Sequence, residues 1–305
     1  SSEIRYRLPN MLPAARKSLP NSRSPYRYAA FSTSVRFRPS STFSSLLSNT
    51  FSLLPLNLPS FLTEGAKTKL APIVSSARAA KLLCQKWFSE YRYIPDAIVV
   101  EGPKAGGHLG YKEEQLADEH FSLEALVPEI VAEVRAFGAE HDCHIPVIAG
   151  GGIYTGEDIY RIMQLGADGV QMGTRFVTTE ECDADPAFKQ TYLDAKPQDI
   201  EIIKSPVGMP GRAIHSSFLD RVKEGLKRPK NCPFDCIKTC DVTHSPYCIM
   251  LALYNAFKGK LQNGYAFCGA NAWRAEKIQS VRDLMAALRD EYDNFSLKEK
   301  LFGAR

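Results

Sequence analysis

The chain lacks several of the features that most readily identify a function class. None of its apolar runs reaches the roughly 18 residues that a membrane-spanning helix requires. No Walker loop or G-x-G-x-x-G motif stands between a predicted strand and a predicted helix, which argues against a separate nucleotide-binding domain. The histidines have no spacing typical of a metal site. We therefore expect a protein without a membrane span and without a resident metal.

Acidic residues are almost absent from residues 1–53. This segment has eight basic residues against the single acid Glu3, and it is rich in serine and proline without a regular period. We expect it to form no packed core. It is either an organelle transit peptide or unrelated coding sequence joined to a truncated enzyme. We expect a cytoplasmic protein, or a mitochondrial one if the segment is a transit peptide. No nucleic-acid motif accompanies the basic residues, so nucleic-acid binding is not expected.

A glycine-rich loop with one histidine follows the β-branched apolar run at 94–100, which predicts a buried strand. Gly106 and Gly107 let the backbone approach a ligand closely, because no Cβ intervenes. His108 then lies where the strand ends, with a pKa near neutrality that suits proton transfer. The alternative is that the glycines only form a turn and that His108 is a solvated loop residue.

Two further strand patterns end in glycine. Residues 145–153 close on Gly150–Gly152, and residues 169–176 contain Gly173. The segment 155–165 between them has the apolar spacing of a helix. Backbone N–H groups at such glycines can bind a phosphate without interference from side chains. In an eight-stranded βα barrel the two loops would follow strands seven and eight, at the catalytic face. Ordinary turn glycines are the alternative.

The order of the elements predicts a parallel sheet. Strands are predicted at 70–74, 94–100, 145–153 and 169–176, and helices at 77–87, 122–139 and 155–165. Strands that alternate with helices indicate βα units with crossover connections. A short added strand is predicted at 201–204. The last hundred residues are predicted to be helical, with the best segments at 249–257 and 278–288.

Three motifs in this order resemble those of the nitronate monooxygenase family, formerly the 2-nitropropane dioxygenases. They are Ala105-Gly106-Gly107-His108, Ala149-Gly150-Gly151-Gly152-Ile153 and Gln171-Met172-Gly173-Thr174. The resemblance extends from about Leu54 to the end and includes the run 205–213. Members are FMN-dependent barrels related to the flavin-containing enoyl-acyl-carrier-protein reductases.

The resemblance implies an α/β fold of the TIM-type (β/α)8 barrel. Residues 54–305 would supply strands five to eight, the C-terminal half, followed by a helical extension over about 206–305. Strands one to four would then be missing, so we expect an N-terminally truncated chain whose activity in isolation is doubtful. An inactive truncated fragment is one alternative, and a homo-oligomer stays open.

The resemblance also assigns roles to residues. His108 would be the catalytic base, Gly152 and the run 171–174 would hold the FMN phosphate, and Glu101 with Gly106 would line the flavin. The implied cofactor-binding residues are Glu101, Gly106, Gly107, Gly150, Gly151, Gly152, Gln171, Met172, Gly173 and Thr174. Lys104 is a departure, since many relatives carry an acid there. Its ammonium group would lower the pKa of His108.

The implied reaction is oxidation of an alkyl nitronate or nitroalkane by the flavin, which then passes electrons to oxygen. The alternative keeps the flavin and makes the enzyme an NAD(P)H-dependent reductase of enoyl-acyl-carrier-protein or quinone type. Fold alone does not choose between them.

Three of the eight cysteines, Cys232, Cys236 and Cys240, recur every four residues. A metal or iron–sulfur site is one interpretation. Against it, the repeat lacks the two-residue gaps typical of such sites, and Pro233 interrupts a helix. We favour small buried or partly reactive thiols.

Overall fold

The computed structural model describes residues 54–229, 232 and 240–302. The predictions made for residues 1–53 and for Cys236 lie outside these ranges. No helix in the described ranges is long and apolar enough to cross a membrane.

Strands and helices alternate through the first half of the described chain. The strands are β1 Ile73–Val74, β2 Ile98–Glu101, β3 Gly107–His108, β4 Val147–Gly150, β5 Gly169–Gln171, β6 Ile200–Lys204 and β7 Pro210–Ile214. The α-helices are α1 Ala77–Tyr91, α2 Leu123–Glu140, α3 Gly156–Gln164, α4 Thr174–Val177, α5 Pro186–Asp194, α6 Ser217–Lys223, α7 Ile249–Phe257 and α8 Val281–Phe302. Short 3-10 turns lie at Leu58–Phe61, Glu113–Gln115, Glu119–Phe121, Pro197–Asp199, Leu261–Asn263 and Ala272–Arg274.

The first sheet is parallel and has the order β1-β2-β4-β5. Its register places Val74 beside Val100, Val100 beside Ala149, and Ala149 beside Val170. These are four strands, half the number in an eight-stranded barrel. The predicted α/β fold with parallel strands and crossover helices is confirmed.

One face of this sheet is covered by helices, and the other face is buried at its centre but exposed at Ile73 of the edge strand β1. Successive residues of a strand point to opposite faces. Val100 and Ala149 pack with the helices in the main core, whereas Val99 and Ile148 form a small cluster on the other face.

Helices α1 and α2 begin where serine side chains cap them. Ser76 Oγ accepts a hydrogen bond from Ala79 N, and Ser122 Oγ accepts one from Ala125 N. Such caps satisfy backbone donors that the first turn leaves unpaired. The predicted apolar stripe of α2 is buried, and it consists of Leu126, Ile130, Val134 and Phe137.

A second sheet, β3-β7-β6, is antiparallel and lies beside the first. The predicted strand at 201–204 is confirmed as part of β6. The region from about 206 was predicted to be helical, but it also contains β7, because Gly211 and Arg212 pair with β3 on one side and β6 on the other. A run with proline and glycine carries little strand propensity, so this pairing is a tertiary effect.

The predicted strand at 169–176 is too long. β5 ends at Gln171, and the residues after Gly173 form the one-turn helix α4. Helix α8 begins at Val281 and continues to Phe302, beyond the predicted end at 288.

Helices α3 and α8 pack at very short range at Gly156. The Gly156 N–H donates to Glu291 Oε2 at 2.7 Å. A Cβ added at Gly156 would lie 2.2 Å from Leu288 O and 2.4 Å from Tyr292 N. Only glycine fits this contact.

We predict that Gly156→Ala destabilises the chain. The added methyl group must push α8 away, which costs about 1–3 kcal/mol and outweighs the better helix propensity of alanine. Urea unfolding followed by circular dichroism measures the change. The control is Gln164→Ala on the exposed side of the same helix, for which we expect a change within about 0.5 kcal/mol. Equal stability of the two variants would contradict the proposed packing.

Candidate functional site

A cavity of about 400 Å³ lies at the carboxyl ends of β2, β4 and β5. Loops at this edge of parallel strands are the usual place for a ligand site in α/β folds. All of the cofactor-binding residues predicted from the sequence line it, namely Glu101, Gly106, Gly107, Gly150, Gly151, Gly152, Gln171, Met172, Gly173 and Thr174. The structure thus brings the three motifs to one place, and their role in cofactor binding stays a prediction.

The glycine turn after β4 has a backbone that other residues rarely adopt. Gly151 has a φ of +105° and Gly152 a φ of +87°. A Cβ at Gly151 would also lie 2.9 Å from the carbonyl oxygen of Gly102. The turn therefore requires glycine at both positions.

Three backbone N–H groups at the cavity have no protein acceptor among the described residues. They belong to Gly151, Gly152 and Gly173. Backbone donors away from bulk water are normally paired. An anion is the ligand class that backbone N–H groups of neighbouring glycine turns at one cavity favour.

One wall of the cavity comes from a segment that the sequence reasoning missed, residues 267–271. It is attached mainly to backbone atoms of the glycine loops: Gly269 N donates to Thr174 Oγ1 at 2.8 Å, and Ala270 N donates to Lys104 O at 3.1 Å. Asn271 Nδ2 donates to Gly152 O at 2.5 Å. The available signal was the run of small residues at 268–272, between two predicted helices.

This wall contacts the glycine-rich loop that ends in His108, residues 102–108, which we call the histidine loop. The contact is at Gly106. A Cβ at Gly106 would lie 2.5 Å from the backbone carbon of Cys268, so glycine is required there for close approach. Phe267 and Cys268 also line the cavity. Cys268 is buried, which raises its thiol pKa to about 12 and keeps it uncharged.

Arg212 of β7 holds the histidine loop in place through hydrogen bonds to its backbone. Its guanidinium group donates to the carbonyl oxygens of Pro103, at 2.8 Å, and of Ala105. Arg212 is buried, and within the described ranges it forms no ion pair. Its bonds to carbonyl groups are therefore what satisfies it.

His108 is half-buried beside the cavity and does not itself line it. Its Nε2 lies 2.7 Å from Ser205 Oγ, and its ring packs edge-on against Phe267 with centroids 5.1 Å apart. Its neighbour Gly107 lines the cavity, as does Phe267. Ser205 was within the matched run 205–213, but no role was assigned to it from the sequence.

Burial lowers the pKa of His108 below its usual value of 6.5. The direction agrees with the expectation from the sequence, but the cause is desolvation rather than the charge of Lys104. Lower pKa values favour the neutral imidazole at pH 7, which is the form that accepts a proton.

Glu101 lies at the end of β2 and lines the cavity. Burial raises the pKa of its carboxyl group, an effect that a hydrogen bond from the Gly110 backbone partly offsets. The Tyr111 hydroxyl donates to the backbone oxygen of Glu101 and fixes the end of the strand.

Tyr154 forms another part of the wall. The guanidinium carbons of Arg175 and Arg274 lie 4.5 Å and 4.8 Å from the centre of its ring. Arg175 Nη1 also donates to the Tyr154 hydroxyl at 3.2 Å. These cation–π contacts hold the ring in place.

Of the cysteine repeat, the two described members Cys232 and Cys240 do not line this cavity. Cys232 and Cys240 are exposed rather than buried, and Cys236 lies outside the described residues. In the described part of the chain, no group of three histidine, cysteine or acidic side chains is placed to hold a metal.

Residues 45–291 match the family model described as nitronate monooxygenase. The chain belongs to the nitronate monooxygenase family. A similar relative is a probable nitronate monooxygenase of Staphylococcus saprophyticus, 33% identical over 131 residues, which cover 42% of this chain and 34% of the relative. The chain thus spans about a third of the length of the curated relatives it matches.

Two solved structures share the fold of this chain. FabK from Thermotoga maritima has a TM-score of 0.60 and 25% identity over 82% of this chain and 68% of FabK. A nitroalkane oxidase from Streptomyces ansochromogenes has a TM-score of 0.54 and 21% identity over 75% of this chain and 59% of its own. The predicted family and barrel-type α/β fold of this nitronate monooxygenase homologue are confirmed.

We predict that His108 titrates below pH 6.5. Its burial disfavours the imidazolium form, so the transition in an NMR titration of the imidazole resonances is expected on the acid side of the ordinary histidine pKa of 6.5. The internal control is the exposed His120, whose pKa is raised by its hydrogen bond to Asp118. A pKa of His108 equal to or higher than that of His120 would contradict the burial of the His108 ring.

Proposed function

We propose that this chain binds FMN at the cavity and supports the oxidation of alkyl nitronates with oxygen as electron acceptor. The observation that carries the proposal is that three glycines whose N–H groups have no acceptor among the described residues line one cavity beside His108. The family assignment indicates which anionic cofactor to test first.

The residues present fit the phosphate group of FMN. The N–H groups of Gly151, Gly152 and Gly173 can each donate to a phosphate oxygen. A Cβ added at Gly173 would meet no protein atom within 4 Å, so the space beside this N–H is open. Thr174 completes this end of the cavity, although its hydroxyl already accepts a bond from Gly269.

The rest of the cavity suits a flat aromatic ring system. Val99 and Gly106 offer apolar or side-chain-free surface, and Glu101 offers a polar group. A bound FMN would supply electron transfer between the substrate and oxygen. The protein supplies position, desolvation and proton transfer.

The chain's own contribution to chemistry centres on His108. With Nε2 hydrogen-bonded to Ser205, Nδ1 is the ring nitrogen without a partner in the described chain. A neutral imidazole can accept there the proton that a nitroalkane loses from the carbon next to its nitro group. A nitronate has already lost this proton, and for it the imidazole would only position the substrate.

We predict that His108→Ala slows flavin reduction by a neutral nitroalkane about 10²- to 10⁴-fold, the usual cost of removing a general base. Anaerobic stopped-flow reduction of bound FMN measures this, with His120→Ala as the matched control at an exposed histidine. FMN affinity should be unchanged in both variants, because His108 does not line the cavity.

Comparing a neutral nitroalkane with a nitronate as substrate distinguishes the two possible roles of His108. A loss confined to the neutral nitroalkane assigns His108 as a base, and a loss for the nitronate as well assigns it to substrate positioning. Unchanged rates for both would contradict a catalytic role. A purified wild-type chain that shows no flavin absorbance after incubation with FMN would contradict the proposed function itself, as expected of an inactive fragment.

An NAD(P)H-dependent flavin reductase is the second candidate. The fold is at least as similar to FabK as to the nitroalkane oxidase, with TM-scores of 0.60 and 0.54, and a shared barrel does not select the reaction. Anaerobic reduction of the bound flavin by NADH or NADPH, but not by a nitronate, would favour this candidate.

A further inference from the structure

We infer that Lys104 is an additional ligand of the cofactor phosphate and gives the anion site of this chain a fixed positive charge. The inference rests on the proposed function, and it concerns a phosphate monoester, the group that distinguishes FMN from riboflavin.

The backbone of Lys104 is held at the cavity, and its exposed side chain lies beside Gly152. Its carbonyl oxygen accepts the bond from Ala270 N. Its aliphatic chain lies over Gly152, since a Cβ added to Gly152 would meet Lys104 Cβ at 2.8 Å and Cδ at 3.1 Å. The aliphatic part of the side chain therefore lies next to Gly152, one of the three glycines whose N–H groups have no described acceptor.

The ammonium group has no partner within the described ranges. No carboxylate forms an ion pair with Lys104, and its Nζ donates no hydrogen bond to a described residue. Lys69 by contrast is paired with Asp96 at 2.7 Å, and Lys189 donates to Thr179 O at 2.6 Å. Lys104 can thus bind an anion without breaking a protein contact.

The charges that line the cavity point to the same ligand. Among its described lining residues, Lys104 is the one cation and Glu101 the one carboxyl group. Lys104 lies beside Gly152 in the turn after β4, and Glu101 lies at the end of β2. A phosphate oxygen that receives both N–H and ammonium bonds would be held by charge-assisted hydrogen bonds, the stronger kind.

The test compares two flavins that differ by the phosphate. Binding of FMN and of riboflavin is measured by quenching of flavin fluorescence for the wild type, Lys104→Met and Lys104→Glu. We expect Lys104→Met to weaken FMN binding about tenfold, the scale of one charged hydrogen bond. Lys104→Glu should weaken it further by repulsion. Riboflavin binding should not change, and the FMN effect should shrink at high salt.

Two further variants make the comparison specific. Lys104→Arg keeps the positive charge and should retain FMN affinity. Lys67→Met removes the charge of an exposed lysine that does not line the cavity and should leave FMN binding unchanged. Circular dichroism checks that all variants are folded.

Each adverse outcome has a distinct meaning. Unchanged FMN affinity in Lys104→Met would overturn this inference and leave the proposed function intact. Equal losses for FMN and riboflavin would also overturn it, because Lys104 would then only support the loop. A wild-type chain that binds neither flavin would overturn the proposed function and the inference with it.

Discussion

Two residues of β3 pair with two residues of β7, and the position of the whole histidine loop depends on this contact. Gly107 lies beside Arg212, and His108 lies beside Gly211. The same Arg212 donates to carbonyl groups of the loop at positions 103 and 105. A buried guanidinium that lost these acceptors would be left unsatisfied, at a cost of about 1–3 kcal/mol or more. The loop is thus fixed by a strand about a hundred residues later in the chain.

This dependence explains which parts of the fold could be predicted from the sequence. α3 was predicted closely, because apolar periodicity and N-terminal capping are local signals. β4 was predicted in the right place but too long, at 145–153, whereas the strand covers Val147–Gly150. β7 was missed, because Pro210 and Gly211 carry no strand signal and form a strand only between two partners. The end of β5 was misplaced, because Gly173 permits either a continued strand or the helical turn that follows.

The residues of the candidate site also fall into those that local sequence patterns predict and those that they do not. The glycine motifs were predictable because their spacing along single loops is characteristic. Ser205, Phe267 and Asn271 reach the site from strands and turns that are distant in sequence, so no local pattern marks them. For His108 the direction of the pKa shift was correct, but its cause is burial, which depends on the packing of Phe267 and on neighbours that only the tertiary structure brings together.

The position of the wall formed by residues 267–271 depends mainly on backbone hydrogen bonds. Two of its three bonds to the glycine loops use its own backbone N–H groups, and two of the three acceptors are backbone carbonyl oxygens. Geometry that depends on backbone atoms places few demands on side chains beyond the need for small ones. The side chains that project toward the cavity then do not determine its backbone geometry. Lys104 is such a position, since its backbone is held by Ala270 while its side chain decides the local charge.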